Sequence, residues 1–191
     1  MLPLTNAPDC MSTADPDFRA LDEKIQAGMA RYGIPGVAVG VLAQGREYVR
    51  GYGVTNVDYP VPVDGDTLFR IASTTKTVTG TTVMQLVDQG KLDLDTPVRT
   101  YLPDFQTCDP AAPGDPAVAP RVTLRQLLNH SAGWVGDDFE DTGRWHDALT
   151  RYVAGMARLP QVTPPGTAFH YNNAALVLAG HVLEVVVGQP Y

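Results

Sequence analysis

Apolar residues fall at helical spacing over residues 17–32, where Phe18, Leu21, Ile25 and Met29 share one face. Gly33 and Pro35 stop that helix. Residues 36–43 then carry Val37, Val39 and Val41 in alternation, the pattern of a buried strand, and Gln44-Gly45 reads as a turn. Residues 46–55, with Tyr48 and Tyr52, form a second strand, so the two make a hairpin. A polar loop containing Pro60, Pro62 and Gly65 follows, and after it the texture becomes helical. Residues 73–90 predict a helix with Val83, Leu86 and Val87 inward and Gly90 at its end. A short helix opens at Asp95-Thr96-Pro97 and ends at Pro103. Residues 104–120 are rich in Pro, Asp and Ala and read as a long surface loop. Thr123 and Gln126 form a capping box for a short helix over 123–129. Residues 145–159 carry Trp145, Leu149, Tyr152, Val153 and Met156 at helical spacing. Beyond the Pro164-Pro165-Gly166 turn, Asn172 caps a nearly all-apolar helix over 173–187, stopped by Gly188 and Pro190.

Composition adds bounds to this picture. The chain has 191 residues, 44% of them hydrophobic, enough for one domain with a core. Its net charge of -7 argues against nucleic acid or an anionic membrane surface as a partner, since both call for basic patches. The longest apolar stretch, residues 174–187, is too short to span a bilayer and carries His181 and Glu184. Residues 1–16 read as a flexible tail, and the first 17 residues hold neither Lys nor Arg nor an apolar segment, so no secretory signal is expected there. The expected location is cytoplasmic, or periplasmic or secreted if a signal has been removed. Cys10 and Cys108 read as two free thiols, with a pairing between them left open, and no Cys/His spacing implies a metal. The acidic run of Asp137, Asp138, Glu140 and Asp141 lacks the spacing of a calcium loop and reads as a solvated surface.

Candidate chemistry starts from serine, which occurs only at Ser12, Ser73 and Ser131. Ser73 heads a predicted helix in Phe69-Arg70-Ile71-Ala72-Ser73-Thr74-Thr75-Lys76. An alcohol needs a base within hydrogen-bond reach to act as a nucleophile, and residues at i and i+3 on a helix share a face. A lysine serves as that base where burial and positive potential favour its neutral form, and a helix N-terminus supplies such potential. The same end offers the backbone N–H of Ser73 to a developing oxyanion. The bland alternative is an N-cap serine beside a solvated lysine. In Phe169-His170-Tyr171-Asn172-Asn173, Tyr171 stands where a phenol could share the lysine's proton and pass it to a leaving group; an ordinary core tyrosine beside a capping asparagine is the competing reading. Leu127 to Trp134 resembles a helix C-terminus, and the adjacent His130 and Ser131 are not read as a nucleophile–base pair because neighbouring residues rarely face each other. His146 and His181 read as structural.

Taken together and in this order, these stretches resemble the serine β-lactamase-related hydrolases, a group that includes class C β-lactamases, D-alanyl-D-alanine carboxypeptidases, D-aminopeptidases and β-lactamase-like esterases. The hairpin Pro35 to Val41 with Gly51-Tyr52-Gly53 is similar to the family's opening strands. Phe69 to Lys76 resembles its SxxK element, Val122 to Gly133 its LLTHTSG segment, and Pro165-Gly166 through Tyr171-Asn172-Asn173 its PG…YxN element. The resemblance implies an α+β, β-lactamase/transpeptidase-like fold present in part. Residues 17–65 would be the first part of the sheet lobe, a helix and hairpin, and residues 66–191 most of the helical lobe. It implies Ser73 as the acylated nucleophile, Lys76 as general base, Tyr171 as proton shuttle and Asn173 as the residue that positions substrate or Lys76. It implies no metal and no cofactor, and a small ester, amide or β-lactam as substrate.

The family's third motif, Lys or His followed by x-Gly on a strand that lines the site, has no match here: no KTG occurs and none of the four histidines has glycine two residues on. The chain is therefore expected to be the N-terminal half of a hydrolase, with an exposed sheet edge open to self-association. Three readings remain open: a hydrolase working through an acyl-enzyme, a penicillin-binding or peptidoglycan-sensing protein that acylates without turnover, and an inert fragment.

Overall fold

The computed structural model describes residues 16–108, 121–136 and 138–191. The tail over residues 1–16 therefore lies almost wholly outside the described residues, as do Cys10, Asp137 and most of the loop expected over 104–120. Cys108 is half-buried and forms no disulfide among the described residues. The described chain divides into two compact units, Met1–Arg70 and Ile71–Tyr191.

In the first unit, helix α1 (Pro16–Tyr32) is followed by β1 (Gly36–Ala43) and β2 (Arg46–Gly53), an antiparallel pair. Ala43 pairs with Arg46, leaving Gln44 and Gly45 as a two-residue loop with φ of 52° and 77°. Two successive left-handed residues make the type I′ turn whose twist matches the strands it joins, and Gly45 takes that conformation without a Cβ clash. The α1 stripe Phe18, Leu21, Ile25 and Met29 is half-buried along its length. Val37, Val39 and Val41 are half-buried as well, not fully buried as the alternation suggests. The buried apolar side chains of this unit are Tyr48, Tyr52 and Val63. The Phe18 ring stacks on Tyr48 at 4.3 Å. Both tyrosine hydroxyls hydrogen-bond the Asp22 carboxylate, which Arg50 also meets at 2.7 Å. β2 ends at Gly53, two residues earlier than its apolar pattern implies. Gly53 turns left-handed, and Val54 leaves β1 to bridge Pro62.

The second unit is helical. A 3-10 turn over Ala72–Thr74 leads into α2 (Thr75–Asp88), and further on come α3 (Leu124–Leu128), α4 (Ala148–Gly155) and α5 (Asn173–Val187). α3 carries the expected capping box, Thr123 with Gln126. α4 is shorter than the periodicity suggests: its N-cap is Asp147, and Trp145 stands outside it, 75% exposed. α5 begins at the Asn172 cap and ends at left-handed Gly188. Its Ala174, Leu178 and Val182 are fully buried, and they share one core with Val83, Leu127, Trp134 and Met156. α5 packs against α2, α3 and α4. This core fixes the start of α2 beside the start of α5. Among the described residues no helix is long and apolar enough to cross a membrane.

Candidate active site

Ser73 lies in the 3-10 turn that precedes α2, two residues before its first residue, and not in the α-helix expected from residue 73. Ala72 before it has φ of 44°. A left-handed alanine costs about 1–2 kcal/mol, so the chain is strained at the residue that delivers the serine. Lys76, the second residue of α2, lies one turn on, and its Nζ donates to Ser73 Oγ at 3.2 Å. It also donates to Asn173 Oδ1 at 2.8 Å, reaching across to the first residue of α5. The Tyr171 hydroxyl donates to Ser73 Oγ at 2.8 Å, and Lys76 Nζ lies 5.0 Å from the Tyr171 ring centroid. The structure thus brings together all four residues singled out from the sequence, Ser73, Lys76, Tyr171 and Asn173. Ser73 is exposed, Tyr171 is 45% exposed, and Lys76 and Asn173 are half-buried.

The segment before α5 is held by the loop after α3. His130 has φ of 63° and its carbonyl accepts the His170 N–H at 2.8 Å. Its Nδ1 accepts the Asn172 N–H at 3.1 Å, and its ring lies 4.6 Å from that of Tyr171 and 5.7 Å from that of Phe169. Burial, and next the charge of Lys76, hold the His130 imidazole below the usual histidine range. The Gly136 carbonyl accepts the Asn173 N–H at 2.9 Å. Asn172, 1% exposed, accepts the Ala175 N–H at 2.8 Å and donates to the Trp134 carbonyl at 3.2 Å. His130 and Gly136 were not foreseen as site residues. The signal available for both was their place in or just after the segment that resembles the family. Ser131 bonds Asn129 instead of a base. His181 pairs with Glu184 in α5, away from Ser73.

The larger cavity of this unit, about 580 Å³, is lined by Tyr101, Phe105, Thr150, Val153, His181 and Val185, among others, and includes none of the four clustered residues. A smaller one of about 180 Å³ reaches Lys76 and Asn173, with Ala72, Thr79, Leu176 and Tyr191 in its walls. Among the described residues no group of three or more His, Cys, Asp or Glu side chains is placed to hold a metal.

The helical unit thus carries a serine oxygen within hydrogen-bond reach of an amine and a phenol. The family model for beta-lactamase matches residues 21–191, and the chain belongs to that family. It has the β-lactamase/transpeptidase-like fold in part. It is 37% identical over 175 residues to a protein named penicillin-binding protein 4 from Amycolatopsis lactamdurans, covering 92% of this chain and 44% of that one. It is 33% identical to a protein named esterase EstB from Burkholderia gladioli, covering 80% and 41%. A crystal structure of SurE superposes with a TM-score of 0.74 at 30% identity, covering 90% of this chain and 35% of that one. The chain spans less than half the length of these relatives.

Proposed function

We propose that this chain carries the acylating centre of a serine hydrolase acting on an ester or amide carbonyl, β-lactams included. The observation that carries the reading is the position of Ser73 Oγ, 3.2 Å from Lys76 Nζ and 2.8 Å from the Tyr171 hydroxyl. Lys76, in its neutral form, takes the Ser73 proton as Oγ attacks the carbonyl carbon. The Ser73 N–H is the candidate donor to the oxyanion that forms. Tyr171 delivers its proton to the departing alcohol or amine, or to the opened lactam nitrogen, and regains one from protonated Lys76, leaving an acyl ester on Ser73 that water then cleaves. Asn173 holds Lys76 Nζ in place through the 2.8 Å bond.

The test is covalent labelling by a fluorescent penicillin or an activated ester, read by intact mass. Wild type gains one acyl group on Ser73, and Ser73→Ala gains none. Lys76→Ala labels slower by about a hundredfold or more, the size of a lost general base. Label on Ser73→Ala at the wild-type rate overturns the assignment. A second reading is acylation without turnover, favoured by the relative named a penicillin-binding protein. Label that persists for hours after free reagent is removed supports it, and label lost within minutes supports the hydrolase.

A further inference from the structure

Two hydrogen bonds and a ring contact tie His130 to the segment that delivers Tyr171, and none of them reaches Ser73. Its carbonyl takes the His170 N–H at 2.8 Å, its Nδ1 takes the Asn172 N–H at 3.1 Å, and its ring lies against Tyr171 with centroids 4.6 Å apart. Because Nδ1 accepts a hydrogen bond, the proton of the neutral ring must sit on Nε2. The backbone takes the left-handed conformation at φ of 63°, uncommon for a residue other than glycine, so the fold holds the ring there against strain.

We propose that His130 is a positioning residue that, only as a neutral imidazole, holds the segment of Tyr171 and Asn172 so that the Tyr171 hydroxyl stays on Ser73, and that its protonation releases that segment. A proton on Nδ1 converts the acceptor of the Asn172 N–H into a second donor aimed at it, so that bond is lost. The same proton adds a cation close to Lys76. Among the described residues, the titratable groups around His130 are Lys76 from α2 and Tyr171 from the segment before α5. His170, the next along that segment, is exposed. Burial opposes protonation of His130, and the charge of Lys76, while that amine is protonated, adds to it. The device therefore stays closed at neutral pH and opens in acid.

The consequence for acylation rests on the reading of Ser73, Lys76 and Tyr171 given above, and the experiment separates the two. In nitrogen-detected NMR of the whole chain, His130 is expected as the Nε2–H tautomer. It should titrate below the usual histidine range, with the Asn172 amide shift moving in step with that titration. Ser73→Ala should show the same behaviour, since the device does not use the serine. Asparagine tolerates left-handed backbone and sets its Oδ1 near the place of Nδ1, so His130→Asn keeps the acceptor and removes the titration. Its labelling rate at pH 8 should lie within about threefold of wild type, whereas between pH 8 and pH 4.5 wild type should lose about tenfold more of its rate than His130→Asn does, the size of a modest misplacement of a catalytic group. His130→Ala, without acceptor or ring, should be slow at both pH values. An Nδ1–H tautomer at neutral pH, an Asn172 amide indifferent to the His130 titration, or an acid limb unchanged in His130→Asn overturns the proposal. If Ser73 does not label at any pH, the acylation reading fails and the tautomer and amide shifts still decide the role of His130.

Discussion

At Gly136 a side chain has no room: a Cβ there would stand 1.9 Å from the Tyr171 carbonyl oxygen and 3.1 Å from its carbonyl carbon. Both are backbone atoms and cannot swing aside, while the Gly136 carbonyl must still reach the Asn173 N–H. Gly136→Ala should therefore push the segment carrying Tyr171 and Asn173 away from Ser73. The expected outcome is labelling of Ser73 slowed by about a hundredfold, the scale of a misplacement near 1 Å, measured as the second-order rate with an activated ester. An unchanged rate would mean that the segment does not govern the chemistry. The pairing of Ser73 with Lys76 was legible in the sequence because residues three apart on a helix share a face. Tyr171 was a candidate from its place ahead of an apolar helix, but only the resemblance favoured it over an ordinary core tyrosine, since 98 residues separate it from Ser73. His130 and Gly136 act on backbone N–H groups: an imidazole accepting one and a carbonyl accepting another. No side-chain pattern in a sequence marks such a bond.

Among the elements, α5 joins sequence, core and site most directly. Its apolar run predicts burial, and Asn172 predicts its start; both hold in the structure. Asn172 also does what a cap assignment does not include, donating to the Trp134 carbonyl from a buried position. Asn172→Ala loses the cap and leaves that carbonyl without this donor, a loss of about 2 kcal/mol in unfolding free energy. Asn172→Ser keeps a cap oxygen and should lose about half as much, close to 1 kcal/mol. Chemical denaturation of the three proteins checks the order, and equal stability of wild type and Asn172→Ala would remove the cap from the account. Where the pattern misplaced an element end, local backbone overrode it. Trp145 fits the helical spacing of α4, yet the chain turns before Asp147 and leaves the indole in solvent. The apolar residue Val54 continues β2 on paper, yet left-handed Gly53 hands it to Pro62 instead. Spacing reports which residues could share a face, and it does not report where the hydrogen-bond ladder stops.

At the scale of the molecule, the two units differ in what holds them. Ile71–Tyr191 has a continuous buried core that includes α2, α3, α4 and α5. Met1–Arg70 buries Tyr48, Tyr52 and Val63 and depends on a polar knot, the Asp22 carboxylate receiving both tyrosine hydroxyls and Arg50. Local stability follows buried apolar packing, so amides of α5 should exchange with deuterium most slowly and those of β1 and β2 faster. The knot makes the first unit acid-sensitive in a definite direction. Hydrogen bonds from Tyr48 and then Tyr52, with Arg50 adding to them against the cost of burial, hold the Asp22 carboxyl below the usual carboxylate range. A carboxyl whose value is lowered by folding contributes stability that is present above its unfolded value, near 4, and lost as pH falls through the lowered folded value. Asp22→Asn keeps the shape and removes the charge, so the variant should show faster exchange over Gly36–Ala43 and Arg46–Gly53 at neutral pH. Its exchange there should respond less to acid than that of wild type once the intrinsic pH dependence is divided out. Hairpin protection equal in the two proteins at pH 7 would mean that stacking of Phe18 on Tyr48, and not the carboxylate, holds α1 to the sheet.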